Sequence, residues 1–269
     1  MSNEVVIFEQ KGHVAILTLN RPEARNAMNP EMLVRLSEGW QRIRDDDSIR
    51  VAVITGSGPA FCAGMDLGSM IPLITGARPP QDEWDEAVAS DNTLGYRATL
   101  RNFDTRKPVI AAINGFAIAG GMELVMGCDL RIAADSARFG LQEVKWAIFP
   151  GGGSTVRLPN QIPYARAMEV LLTGDQFTAQ SMLEYGFLNY VVAENEVLDR
   201  ALELAEKIAA NGPVAVCAVR QSVREAIGVP EPRALVREGE LSATVYATED
   251  AVEGPRAFME KRKPVFKGR

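Results

Sequence analysis

Apolar positions near the amino end fall into two short β-rich runs, residues 5–8 and 14–19, separated by Lys11-Gly12-His13, and this pattern predicts a hairpin. The period then changes. Met32, Leu33, Leu36, Trp40 and Ile43 recur at helical spacing behind Asn29, a suitable N-cap, and Pro30, a residue favoured at the first helical position. A buried strand is expected over 51–55. The strand-helix-strand order returns with a strand at 109–114, a helix opening at Gly120 and a strand at 130–133, which argues for an α/β core with right-handed crossovers. Beyond Pro163 the pattern predicts helices at 164–172, 178–185, 197–210 and 213–227, a short strand at 188–192, and a helical stretch 231–263 broken near 250–255. Residues 70–105 are the least regular. They hold Pro72, Gly76, Pro79-Pro80 and the acids Asp82, Glu83, Asp85 and Glu86, and the part at 91–103 reads equally as a covering helix or a surface excursion.

Composition narrows the class. With 46% hydrophobic and 24% charged residues, the chain has the make-up of a soluble globular protein with a sizeable core. We expect a core over 1–195 and a helical region over 196–269. The net charge of -6 and pI near 5.1 argue against a nucleic-acid partner, although Lys261-Arg262-Lys263, Lys267 and Arg269 make a local basic tail. Cys62, Cys128 and Cys217 form neither a disulfide framework nor a metal motif, which fits a reducing cytoplasm. The opening residues do not read as a targeting peptide, and no apolar run reaches the length of a membrane span. His13, the only histidine, lies in the hairpin turn, so nucleophilic triads that need an imidazole base lose it.

Two glycine-containing turns carry candidate chemistry. The run Phe116 to Leu124 contains Gly120-Gly121 where a helix opens and peptide N–H groups are free, while Gly56 to Leu67 follows the strand at 51–55. Taken singly, either turn is also explained by packing. Two converging N–H donors would stabilise a thioester enolate, each typically contributing about 2.7–4 kcal/mol to lowering the barrier. Neither turn matches a Walker loop or a dinucleotide fingerprint.

Ala60-Phe61-Cys62-Ala63-Gly64-Met65-Asp66-Leu67 and Asn114-Gly115-Phe116-Ala117-Ile118-Ala119-Gly120-Gly121-Met122-Glu123-Leu124 resemble the paired motifs of the crotonase (enoyl-CoA hydratase/isomerase) superfamily. The resemblance continues, in the family's order, through Phe139-Gly140-Leu141-Gln142-Glu143, Pro150-Gly151-Gly152-Gly153-Ser154-Thr155, Leu172-Thr173-Gly174 and Phe258-Met259-Glu260-Lys261-Arg262-Lys263. It implies an α/β spiral of ββα units with a C-terminal α-helical trimerisation region, as a homotrimer or homohexamer. It also implies that the oxyanion-hole amides belong to Met65 and Gly120. CoA would lie near Arg25, Asn26 and Ala27 and the turn holding Ala63, Asp66 and Leu67. Phe258 and Lys261 of a neighbouring subunit would close over it, the basic tail meeting phosphates. Met65 departs from the alanine common in hydratases, but the position works through its backbone N–H. Cys62 and Cys128 read as packing residues.

Members of the superfamily that hydrate a double bond place carboxylates at the positions of Glu123 and Glu143, and this chain keeps both. A glutamate in a first helical turn also suits a dipole partner, and one in a loop suits an ion pair. As a pair they divide the labour of hydration, Glu123 holding and deprotonating the water and Glu143 exchanging the C2 proton. Nearby like charges favour one ionised and one protonated member. The expected reaction is reversible syn addition of water to a trans-2-enoyl-CoA, giving the 3-hydroxyacyl-CoA, with the CoA thioester as substrate and no metal or other cofactor. An enoyl-CoA delta-isomerase or a carnitinyl-CoA type of dehydratase would use the same oxyanion hole, and a non-catalytic acyl-CoA-binding protein would keep only the fold. The acyl group stays open, because it depends on residues 70–105 and on the orientation of Trp146 and Phe149.

Overall fold

The computed structural model describes residues 4–269. The hairpin forms from β1 (Val6–Lys11) and β2 (Val14–Leu19), antiparallel with Val6 opposite Leu19. Helix α1 (Pro30–Asp45) follows, capped by the Asn29 side chain, which accepts from the Met32 N–H at 3.0 Å. Its five predicted apolar positions are fully buried.

Three successive turns of chain then repeat one step: a strand in a larger sheet, a tight turn, a three-residue strand in a smaller sheet, then helix. The first turn is β3 (Val51–Gly56), β4 (Ala60–Cys62) and the short helices α2 (Met70–Ile74), α3 (Glu83–Ser90) and α4 (Leu94–Ala98). The second is β5 (Val109–Ile113), β6 (Phe116–Ile118) and α5 (Gly120–Gly127); the third is β7 (Leu130–Ala134), β8 (Arg138–Gly140), α6 (Ser154–Gln161) and α7 (Tyr164–Thr173). Strand β9 (Phe177–Thr178), α8 (Ala179–Glu184) and β10 (Tyr190–Val192) close the sheets. The larger sheet runs β1-β2-β3-β5-β7-β10 and the smaller β4-β6-β8-β9; apart from β1 with β2 and β8 with β9, neighbours are parallel. This is the expected ββα spiral. Strands β3 and β5 are almost wholly apolar because helices or the second sheet cover both faces.

Helix α9 (Val197–Ala209) packs across β2, β3, β5 and β7 through Val197, Ala201, Ala205 and Ala209. The helices that stand off the sheet follow α9. These are α10 (Pro213–Ala226), α11 (Glu231–Tyr246) and α12 (Glu249–Met259), which bury only Ala218, Leu241, Asp250 and Ala257. Among the described residues, no helix is long and apolar enough to cross a membrane.

One reading left open is resolved, and one expectation is corrected. The helix considered over 91–103 is confined to α4, because Asp91 ends α3 and turns its carboxylate back onto the Thr93 N–H, and Leu100 adopts a φ of 56°. The break in 231–263 falls at residues 247–248, ahead of the expected site. There the Thr248 hydroxyl accepts from the Ala251 N–H at 3.1 Å and starts a new helix, which continues through Pro255.

Candidate active site

A cavity of about 690 Å³ opens where the α5 N-terminus, the turn after β4, α2 to α4 and the loop after β8 converge. Its lining includes Glu123, Glu143, Met65 and Gly120, which the sequence placed in two separate motifs and a loop. Ala63 and Leu67 line it as well.

The two amides are brought together by a close approach of backbones. Gly121 lies so near β4 that a Cβ there would sit 2.2 Å from the Cys62 carbonyl oxygen, so only glycine fits. Met28 bridges the turn, its N–H donating to Gly64 O at 2.8 Å while Asp66 N–H donates to Met28 O at 3.0 Å. The Met65 N–H falls between these two bonds, outside the ladder. Gly120 is the first residue of α5, where an N–H has no intrahelical acceptor. A Cβ on Gly120 would lie 3.5 Å from the Met65 nitrogen, so the two positions adjoin. Ala119 enters the helix at φ 51°, a strained conformation for a residue with a Cβ, held by its N–H bond to Gly140 O at 2.8 Å.

The carboxyls are buried but unequally provided. Glu123 Oε1 accepts from the Gly152 N–H at 2.6 Å and the Ser154 hydroxyl at 2.7 Å, partners 29 and 31 residues away. Burial raises its pKa, and those two hydrogen bonds oppose the rise by favouring the ionised form. Glu143 lies on a short 3-10 turn, Glu143–Trp146, and its Oε2 is buried without a hydrogen-bond partner. Burial pushes Glu143 up to about 7, and the Glu123 charge acts in the same direction. One carboxyl is therefore given hydrogen-bond donors that favour its anion, and the other titrates around neutral pH, so a large share of it keeps its proton there. Sequence reasoning did not give Gly152 and Ser154 a role. The Gly151-Gly152-Gly153-Ser154 run was the available signal, since a Cβ at 152 would lie 2.2 Å from Glu123 Oε2.

Other sequence-predicted residues fare differently. Asn26 is wholly buried and its side chain binds the Ser57 and Ala60 carbonyls at 2.9 and 2.8 Å and the Arg21 N–H at 2.8 Å. The amide ties the loop to β4. Asp66 likewise pairs with Arg21 at 3.1 Å and accepts from the Gly68 N–H. Arg25 is exposed, with its guanidinium 5.9 Å from the Phe116 ring centroid, and Ala27 O accepts from Arg21. Phe258 and Lys261 lie at the exposed end of α12 and do not line this chain's cavity. In the basic tail, Arg262 pairs with Glu253 and Glu260, and Lys267 and Arg269 reach Glu249. His13 is on the surface, its Nδ1 2.8 Å from Ser48 O. Burial pushes the Cys62 and Cys128 thiols up to about 12, which leaves no nucleophilic thiolate.

The irregular excursion is a wall of the cavity. Asp85, nearly fully buried, receives the Arg78 guanidinium and the Gln81 N–H, and Arg78 also donates to Ser69 O, which joins α3 to the start of α2. Trp40 Nε1 donates to Ala98 O at 3.0 Å and anchors α4 on α1.

A ββα spiral with two adjoining backbone amides and two buried carboxyls over one cavity defines the class, and the family model for enoyl-CoA hydratase/isomerase matches residues 9–269. The chain belongs to this family, the crotonase superfamily, and is an enzyme of the enoyl-CoA hydratase type. It is 43% identical to an enoyl-CoA hydratase of Mycobacterium tuberculosis over 98% of this chain and 96% of that one. It is 41% identical to the (E)-benzylidenesuccinyl-CoA hydratase of Thauera aromatica, over 98% and 99%. A solved enoyl-CoA hydratase from Mycobacterium tuberculosis H37Rv superposes with a TM-score of 0.88 at 37% identity, covering 99% of this chain and all of that one.

Proposed function

We propose that the protein catalyses reversible syn hydration of trans-2-enoyl-CoA thioesters to 3-hydroxyacyl-CoA. The thioester oxygen accepts hydrogen bonds from the Met65 and Gly120 N–H groups, which draws electron density from C3 and carries the enolate charge once water adds. Glu123, held by Gly152 and Ser154, takes a proton from the water as its oxygen bonds to C3. Glu143, whose Oε2 has no partner and which burial pushes up to about 7, gives its proton to C2 from its protonated form, and exchange with solvent restores both carboxyls. The CoA thioester is the substrate, and the scheme calls on no further cofactor.

The unequal provision of the two carboxyls carries this reading, because an isomerase needs one proton shuttle whereas hydration needs a base and an acid together. We place CoA along Ala63 and Leu67, beside the loop of Arg25, Asn26 and Ala27, with Asn26 and Asp66 shaping that loop. Phe258 and Lys261 of a second subunit complete the CoA site in a homotrimer or homohexamer built through the C-terminal helices, in the cytoplasm. The test is Glu123→Gln and Glu143→Gln, assayed with crotonyl-CoA and a longer enoyl-CoA. Hydration falling in both supports the reading; both variants within a fewfold of wild type would sink it. A 3-enoyl-CoA rearranged far faster than a 2-enoyl-CoA is hydrated points to isomerisation instead.

A further inference from the structure

The segment that carries Glu143 continues into a rim of apolar side chains on the cavity that the α5 N-terminus also lines. Trp146 is 67% exposed and Phe149 74% exposed, yet both line the same cavity as the two glutamates. Ile74 on α2, 65% exposed, lines it too, with Met70, Leu73 and Val88 deeper in. The segment is fixed. Lys145 pairs with Asp175 at 2.8 Å, Ala147 turns the chain at φ 53°, and the Ile148 N–H donates to Glu143 O at 3.1 Å. Two exposed aromatic surfaces thus sit on a hydrogen-bonded turn that begins at a glutamate lining the cavity. Large apolar groups kept exposed and contiguous with a cavity mark a surface that an apolar ligand completes. The third acid in the lining, Asp91, is occupied by Arg97 at 3.0 Å and by Thr93.

We propose that the acyl group of the substrate is an extended apolar one, and that Trp146 and Phe149, with Ile74 of the same lining, form the wall that reads its length. This deepens the hydratase reading and rests on it for the identity of the thioester. A crotonyl chain ends before it can cover the rim, whereas each methylene laid against it contributes roughly fourfold in apparent affinity.

The experiment compares trans-2-dodecenoyl-CoA with crotonyl-CoA as the ratio of their kcat/KM values, in wild type and in W146A/F149A. Dodecanoyl-CoA and butyryl-CoA binding is measured alongside by calorimetry. Wild type should favour the twelve-carbon substrate at least about 50-fold, and the double variant should lower that ratio at least about tenfold, mostly through KM. Trp146→Phe should keep the preference, and Ile74→Ser should erode it. Equal kcat/KM for both chain lengths in wild type, or a variant that lowers both by the same factor, overturns the wall while hydration stands. Should wild type hydrate neither substrate but bind dodecanoyl-CoA far tighter than butyryl-CoA, with the variant losing that preference, the hydration reading falls and the wall stands.

Discussion

Helix α5 buries all eight of its residues, and helix α11 buries one of sixteen, Leu241. The contrast extends to how each ends its polar groups. At the carboxyl end of α5, Arg131 donates to the carbonyls of Val125 at 3.1 Å, Met126 at 3.4 Å and Cys128 at 3.3 Å, reaches Phe187 O at 3.1 Å, and stacks 4.2 Å from the Phe187 ring centroid. Burial lowers Arg131 to about 10, which still leaves it charged at neutral pH. Helix α11 instead pairs Arg237 with Glu225 and Glu240 in the open, and leaves Leu235, Val236 and Tyr246 exposed. The helix that holds the proposed chemistry has the carbonyls at its carboxyl end satisfied from within the same chain. The C-terminal helices present apolar surface that a second chain would cover, and this supports assigning them to assembly.

If that division is right, the largest effects of substitution on turnover belong to α5 and the Glu143 turn. Replacing either glutamate by glutamine should lower kcat by about 10²–10⁴, the usual worth of a positioned acid or base. Glu240→Gln on α11 should stay within about twofold. Steady-state kinetics on the three variants checks this, and a Glu240→Gln loss as large as that of Glu123→Gln would break the comparison.

Next in size is the support behind the site. Arg131→Met removes the side-chain donor to the Cys128 and Phe187 carbonyls in a dry interior, while Val125 O keeps the Cys128 N–H and Met126 O keeps Gln161 Nε2, and we expect a loss of about 3 kcal/mol in denaturant unfolding. Val236→Asp on α11 meets no such constraint. At concentrations where subunits are apart it should change stability by no more than about 0.5 kcal/mol, while light scattering shows the assembled species lost. Retention of the assembly would place the subunit contact elsewhere.

Much of this arrangement was legible in the sequence, for reasons that differ by residue. The α1 stripe from Met32 to Ile43 obeys a period set by one helix facing one core, so local spacing suffices to find it. The Gly120-Gly121 helix start and the paired glutamates stood out through the family resemblance, since either feature taken alone also suits ordinary packing or an ion pair. Strands β4, β6 and β8 have three residues each, too few for any period, and they exist because the chain behind them fixes their place. The donors to Glu123 come from the far end of a loop, and Asn26 finds the carbonyls of Ser57 and Ala60 across a similar stretch of chain. Such partners are set by tertiary contact, which spacing along the chain does not encode.

The smallest expected effect tests how the two regions hold their carboxylates. Glu143 titrates near 7 in the folded chain against an unfolded value in the ordinary carboxylate range, about 4.3. Between those values the folded state binds the extra proton, so stability is greatest at the acid end of that window and declines as pH rises toward 7. Glu253 on α12 is the opposite case: its bonds to Arg262 hold it down at about 2. Its contribution is complete above the unfolded value and fades only as pH falls toward 2. Wild type should therefore melt a few degrees lower at pH 8 than at pH 5.5 on account of Glu143. Glu143→Gln should narrow that difference, because the unpartnered carboxyl no longer ionises in the interior, and Glu253→Gln should leave it unchanged. The same titration sets activity, since a Glu143 that must deliver a proton to C2 makes kcat/KM for hydration fall as pH rises through about 7. A flat alkaline limb together with an unaltered melting difference in Glu143→Gln would mean that this carboxyl is solvated and ionised. It would then resemble the carboxylates of the C-terminal helices, and the contrast between the two regions would not reach the acid assigned to C2.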